Sequence, residues 1–226
     1  MWRQARFTRP PGATEILLVR HGESAPMQEG VPVPMMNGHG DPPLDPVGEQ
    51  QAQAVAARLL EEDLSAIYVT TLQRTAQTAA PLATRLGITP VVEPDLREVF
   101  LGEWEGETFR KYAAERHPIA VQAFKEQRWD VIPGAEPPDA FAARIRGAVT
   151  RISERHRDRC VAVFTHGGVI GQLISAATGS VPFAFLGSDN GSISHLVIDG
   201  DRWIVRRYND TAHLHLGFST APEPVI

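Results

Sequence analysis

Only one cysteine, Cys160, occurs among the 226 residues, so no intramolecular disulfide framework can form. It stands in the apolar run Cys160-Val161-Ala162-Val163-Phe164, where a small buried hydrophobe is expected. Nowhere do about 18 apolar residues run together, and the segment Met1–Pro11 has three arginines but no apolar stretch of the secretory kind. Neither membrane spanning nor export is signalled, and a cytoplasmic location is the expectation. There is no lysine/arginine stripe and the formal net charge is -5, which argues against a nucleic-acid partner. Internal repeats and low-complexity tracts are also absent.

What remains is the composition of a protein with a sizeable core: 42% hydrophobic and 22% charged residues, far from the balance of a disordered chain. A single domain over residues 1–226 is expected, with 1–13 and 217–226 as loose termini; a small-molecule partner and a possible homodimer fit this size. Glu15 to Val19 reads as a short buried strand ending at Arg20-His21-Gly22. The Pro/Gly-rich stretch from Ala25 to Pro46 reads as a long loop. Asp45 and Pro46 then supply the cap and first-turn proline of a helix running to Glu61. A strand at Ile67–Val69, a helix from Arg74 to Leu86 with Thr70-Thr71 as its cap, and a strand from Ile88 to Val92 follow. Residues 107–128 and 138–157 read as helices. A strand from Val161 to Phe164 leads through Thr165-His166-Gly167-Gly168 into a helix to Ala177. Ser192–Ile198 and Trp203–Tyr208 flank Asp199-Gly200-Asp201 and predict a hairpin. Strand–loop–helix occurs three times, which points to an α/β fold.

Two histidines, His21 and His166, each follow an apolar strand directly. The carboxyl ends of strands in an open α/β sheet are where ligands bind, so the two imidazoles are expected to meet in one crevice. An imidazole nucleophile needs its neutral form, and nearby arginines would disfavour protonation. Arg20 and Arg74 offer planar forks for a phosphate ester, which carries about two negative charges near neutral pH.

Several segments occur in a set order: Leu18-Val19-Arg20-His21-Gly22-Glu23-Ser24; Asp41-Pro42-Pro43-Leu44-Asp45 with Gly48; Leu72-Gln73-Arg74-Thr75-Ala76-Gln77-Thr78-Ala79; Leu96-Arg97-Glu98 with Gly102-Glu103-Trp104-Glu105-Gly106; and Thr165-His166-Gly167-Gly168. From about Ile16 to Asn209 the chain resembles the histidine phosphatase superfamily, also called phosphoglycerate-mutase-like. The resemblance implies a three-layer sandwich, a mostly parallel central sheet with helices on both faces. It implies a phosphohydrolase that passes a phosphoryl group through His21 to water, without a metal or other cofactor. Glu98 would be the general acid and base, with Glu103 and Glu105 as rivals. Arg20, Arg74, His166 and Gly167 would surround the phosphate. Cofactor-dependent phosphoglycerate mutase is the alternative, and a phospholigand-binding module a more distant one.

The chain also departs from the family pattern. Many members carry a Trp-Asn pair after the signature whose Asn touches phosphate; here Pro26 and Met27 stand there. Ser24, Asn37, Gly38 and His39 are candidate substrate contacts, although Asn37-Gly38 also reads as a plain turn. His213-Leu214-His215 has strand spacing that would put both imidazoles on one side, but with no acidic or cysteine partner it implies no metal. Asp189-Asn190-Gly191-Ser192 reads as a turn. Arg110, Lys111, Arg116, Lys125 and Arg128 read as solvated helix charges.

Overall fold

The structure is a computed structural model and describes residues 4–26, 31–106 and 108–214. Its centre is a six-stranded sheet in the order β5-β4-β6-β1-β7-β8. The strands are β1 (Thr14–Arg20), β4 (Leu64–Val69), β5 (Val91–Val92), β6 (Cys160–Thr165), β7 (Ile193–Asp199) and β8 (Arg202–Asp210). Four of them run parallel; β7 pairs antiparallel with β1, and β8 with β7. A separate two-stranded ribbon, β2 (Met35–Met36) with β3 (His39–Gly40), lies inside the long loop predicted between Ala25 and Pro46.

Alternation along β1 explains why helices cover both faces. Ile16 and Leu18 point into a core shared with α5 (Pro138–Arg155) and α6 (Gly167–Thr178), through Ile145, Val149, Ile170 and Leu173. Leu17 and Val19 point the other way, into a core with Val55 and Leu59 of α1 (Pro46–Leu59) and Leu82 and Ala83 of α2 (Gln73–Leu86). A strand buried on both faces is what a near-continuous apolar run encodes. The α1 start follows the sequence: Asp45 accepts the N–H of Gly48 at 2.8 Å, and Pro46 fills the first turn.

The α2 start does not. Leu72 occupies the cap position, and the carboxylate of Asp41, which lies far off in sequence, accepts the Gln73 N–H at 2.8 Å. The single helix predicted over 107–128 is two, α3 (Thr108–Ala114) and α4 (Pro118–Glu126). Arg116 at φ 53 and the constraint that Pro118 places on His117 end the first. The amino-terminal stretch expected to be loose makes contacts: Arg9 bonds Glu15 and the Asp158 carbonyl, and Gly12 donates to Asp158. Residues 217–226 lie outside the described residues, as do Met27 and His215. None of the described helices is long and apolar enough to cross a membrane.

Candidate active site

β1 and β6 are hydrogen-bonded neighbours in register, Arg20 opposite Thr165, so the residues that follow them leave the sheet side by side. His21 and His166 therefore meet, ring centroids 5.2 Å apart and planes inclined by 61°. Both are buried. The Nδ1 of His21 lies 2.7 Å from the carbonyl oxygen of its neighbour Gly22. A carbonyl only accepts, so Nδ1 carries the hydrogen and Nε2 of the neutral ring is left with its lone pair.

The backbone of His21 is held by several partners. The Asn190 side chain donates to its carbonyl at 2.9 Å, and the Gly191 N–H reaches the carbonyls of Arg20 and His21 at 3.1 and 3.3 Å. Thr78 accepts the Gly22 N–H at 2.9 Å. Gly22 also packs against Gly48: a Cβ on Gly22 would stand 2.5 Å from the Gly48 carbonyl oxygen. The segment read as a turn, Asp189 to Ser192, is thus also the clamp on the first histidine.

Two guanidinium groups flank the pair. Arg20 is anchored through Nη1 to the Ser188 carbonyl, while its buried Nε has no hydrogen-bond partner. Arg74 donates through Nη1 to the Gly40 carbonyl at 3.0 Å and lies 3.7 Å from Asp41. Burial lowers the Arg74 pKa to about 10, which leaves it charged at neutral pH. His166 sits at the cap of α6, its Nε2 3.0 Å from the Thr70 hydroxyl and its Nδ1 buried without a partner. Burial, followed by the charges of Arg74 and Arg20, pushes the His21 pKa well below its ordinary value. Burial, then Arg74 and His21, does the same to His166. Gly167 begins α6 beside Arg20; a Cβ there would lie 3.4 Å from Arg20 Nε. The α2 and α6 helices both open at the pocket, and their amino-terminal dipoles favour an anion.

Glu98 faces α6. Its Oε2 accepts the Gly168 N–H at 3.0 Å and its Oε1 accepts the Val99 N–H at 2.9 Å. The rival Glu105 is held in the same manner, by the Leu101 N–H at 2.8 Å and the Gly40 N–H at 2.9 Å, and burial raises its pKa. Glu103 is exposed. A residue without any sequence signal supports Glu98. Arg144 on α5 donates to the carbonyls of Asp95, Arg97 and Glu98, and is itself held by both oxygens of Glu136.

The substrate candidates separate. Ser24 is buried, and its hydroxyl accepts Nη2 of Arg110 at 2.7 Å. Arg110 is exposed, and its field reaches His21, Arg20 and Arg74. Asn37 and Gly38 form the turn of the β2–β3 ribbon at φ 50 and 84, with Asn37 exposed. His39 is buried against Phe100 and lies 3.6 Å from Glu105; burial, then the charges of Arg97 and Arg144, lowers its pKa to about 4. His213 lies in a short 3-10 turn rather than a strand, bonded to the Gly191 carbonyl at 2.9 Å. Among the described residues no group of three or more His, Cys, Asp or Glu side chains could hold a metal ion.

Paired histidines beside two guanidinium groups lie at the carboxyl edge of a mostly parallel sheet, in an α/β protein of the phosphoglycerate-mutase-like fold. The chain belongs to the histidine phosphatase superfamily (branch 1), whose sequence profile matches residues 16–211. It is 36% identical to phosphoglycerate mutase-like protein 4 of Arabidopsis thaliana over 204 residues, covering 88% of this chain and 86% of that one. It is 34% identical to the metal-independent phosphoserine phosphatase of Arabidopsis thaliana over 205 residues, covering 89% and 83%. A solved mycobacterial glucosyl-3-phosphoglycerate phosphatase superposes with a TM-score of 0.71 at 30% identity, covering 87% of this chain and 99% of that one.

Proposed function

We propose that the protein is a phosphohydrolase that cleaves phosphate monoesters through a phosphohistidine on His21. The observation that carries this reading is the contact of His21 Nδ1 with the Gly22 carbonyl, which leaves Nε2 as the unprotonated nitrogen of a neutral ring in the field of Arg74 and Arg20. Nε2 attacks phosphorus as the P–O(alkyl) bond breaks, and the leaving alkoxide takes a proton from Glu98. Glu98 then withdraws a proton from the water that attacks the phosphohistidine, so phosphate leaves and both groups return to their starting states. In the loose transition state charge spreads over three equatorial oxygens, and the guanidinium groups meet it there. Should the Thr70 hydroxyl donate to Nε2 of His166, the unpartnered Nδ1 carries a hydrogen toward the phosphate.

The relatives named as phosphatases and the open supply of donors support hydrolysis. Rapid quench with a labelled monoester, followed by peptide mapping, tests it: acid-labile label on His21 is expected, and label on Ser24 or none at all overturns it.

One observation favours a second reading. Arg110 adds a cation at the pocket, and a mutase needs one more anion clamp to retain a bisphosphorylated intermediate. With 3-phosphoglycerate and catalytic 2,3-bisphosphoglycerate, free phosphate is expected to exceed 2-phosphoglycerate; rapid isomerisation with little phosphate release makes the protein a mutase.

A further inference from the structure

We infer that Glu105 is a positioning residue: its carboxylate ties the ribbon that holds Arg74 to the loop that carries Glu98, and so fixes the phosphate-binding guanidinium relative to the proton donor. This inference rests on the phosphohydrolase reading and adds a residue to its site.

The first support is that two loops far apart in sequence meet on this one side chain. Oε1 accepts the Leu101 N–H at 2.8 Å, and Oε2 accepts the Gly40 N–H of β3 at 2.9 Å. The backbones nearly touch there: a Cβ on Gly40 would stand 3.0 Å from the Cα and the nitrogen of Gly106. The second support is what lies beyond Gly40. Its carbonyl accepts Nη1 of Arg74 at 3.0 Å, and the Asp41 carboxylate lies 3.7 Å from the same nitrogen. Asp41 also accepts the Gln73 N–H at 2.8 Å, at the start of the helix that bears Arg74. β3, Asp41 and the first turn of α2 are thereby joined as one unit, and Glu105 bonds that unit to the acid loop.

The third support is the base on which Glu105 stands. It follows a 3-10 turn, Gly102–Trp104, whose Trp104 is buried against Tyr112 and His117. The Glu103 N–H donates to the Pro133 carbonyl at 2.9 Å, and a Cβ on Gly102 would stand 2.2 Å from that same oxygen. A turn packed this closely gives the carboxylate a fixed origin. Its chemistry is also specific: both incoming groups are N–H donors, and a carboxylate offers an acceptor on each oxygen where an amide offers one. Burial, then the charge of Glu98, raises the Glu105 pKa, and the two N–H groups oppose that rise.

The test compares the wild-type protein with Glu105→Gln, which keeps the shape of the side chain and removes one acceptor. Calorimetric titration with orthovanadate, a trigonal-bipyramidal mimic of the transferring group, needs no turnover. Its affinity is expected to fall about tenfold, as loss of one charge-assisted bond allows. In an Arg74→Lys background, which keeps the charge but has no planar fork to aim, the same substitution is expected to cost less than about twofold. Equal losses in the two backgrounds, or an unchanged affinity in Glu105→Gln, overturn the inference. A fall in kcat with vanadate affinity preserved also overturns it, and makes Glu105 the proton donor. Glu105→Asp, which keeps the charge but is one methylene too short to reach both loops, takes the same cycle if Glu105→Gln fails to fold, with the same outcomes. Phosphate release by the wild-type protein from p-nitrophenyl phosphate is followed separately. Its absence overturns the phosphohydrolase reading, and the vanadate cycle still decides whether Glu105 acts through Arg74.

Discussion

Gly168 and Glu98 are in contact at both ends of one carboxylate: the Gly168 N–H donates to Oε2 at 3.0 Å, and a Cβ on Gly168 would stand 2.4 Å from Oε1. The obstacle is the tip of a side chain, so Gly168→Ala is expected to move the carboxylate and leave the fold intact. A displacement near 1 Å costs about 10²-fold in rate. The expected result is a kcat lower by roughly that factor, with KM and thermal midpoint little changed. A normal kcat shows that Glu98 is not the proton donor.

Gly22→Ala is a contrasting case, because its Cβ would meet the Gly48 backbone at 2.5 Å, and a backbone carbonyl cannot rotate aside. Loss of soluble protein, or a large drop in thermal midpoint, is expected; wild-type stability contradicts the packing described for this loop.

The histidine pair should make the fold sensitive to acid. His21 and His166 both have folded pKa values well below 6.5, so as pH falls the unfolded chain binds the proton first. Their penalty is absent above the unfolded value and grows below it. Urea midpoints are expected to fall from pH 7 toward pH 5. His21→Gln is expected to flatten that slope. In the folded protein the His21 ring signals should titrate at lower pH than those of histidines in the unfolded chain, and Arg74→Gln should raise the pH at which they titrate.

Arg144 offers a test of support at a distance from the reaction. Arg144→Ala removes the cationic partner of Glu136 and frees the loop carbonyls of Asp95, Arg97 and Glu98, so a loss of about 2 kcal/mol on denaturation is expected, within the range for bonds to charged groups. A kcat about tenfold lower should accompany it, with KM little changed. An unchanged kcat reduces Arg144 to a purely structural role.

Full activity is expected in excess chelator, since two guanidinium groups and two helix amino termini supply the positive charge that a metal ion otherwise brings. Activity that disappears and returns with a divalent ion refutes this.

The meeting of His21 with His166 was readable because each follows an apolar run, and parallel pairing of those runs puts their ends together. Glu98 was readable only from motif order. Arg144 was not readable, since its function lies in contacts made between an ordinary helix position and a loop far away in sequence. Arg110 is exposed, as residue type and helical context predict, and only the fold brings Ser24 beneath it. Thr70 was read as a helix cap; the fold gives that service to Asp41 and turns Thr70 toward His166. The break between α3 and α4 was visible as Pro118, yet the surrounding helical composition masked it.

The phosphate end of the pocket is fixed largely by main-chain bonds, among them those of Gly22, Gly191 and the Ser188 carbonyl. The neighbouring side-chain contacts are built differently, from a small ribbon whose Gly40 carbonyl holds Arg74 and a seven-residue helix whose Arg110 bonds Ser24. Side chains on these two short elements can therefore be exchanged one at a time without touching the main-chain bonds that hold His21.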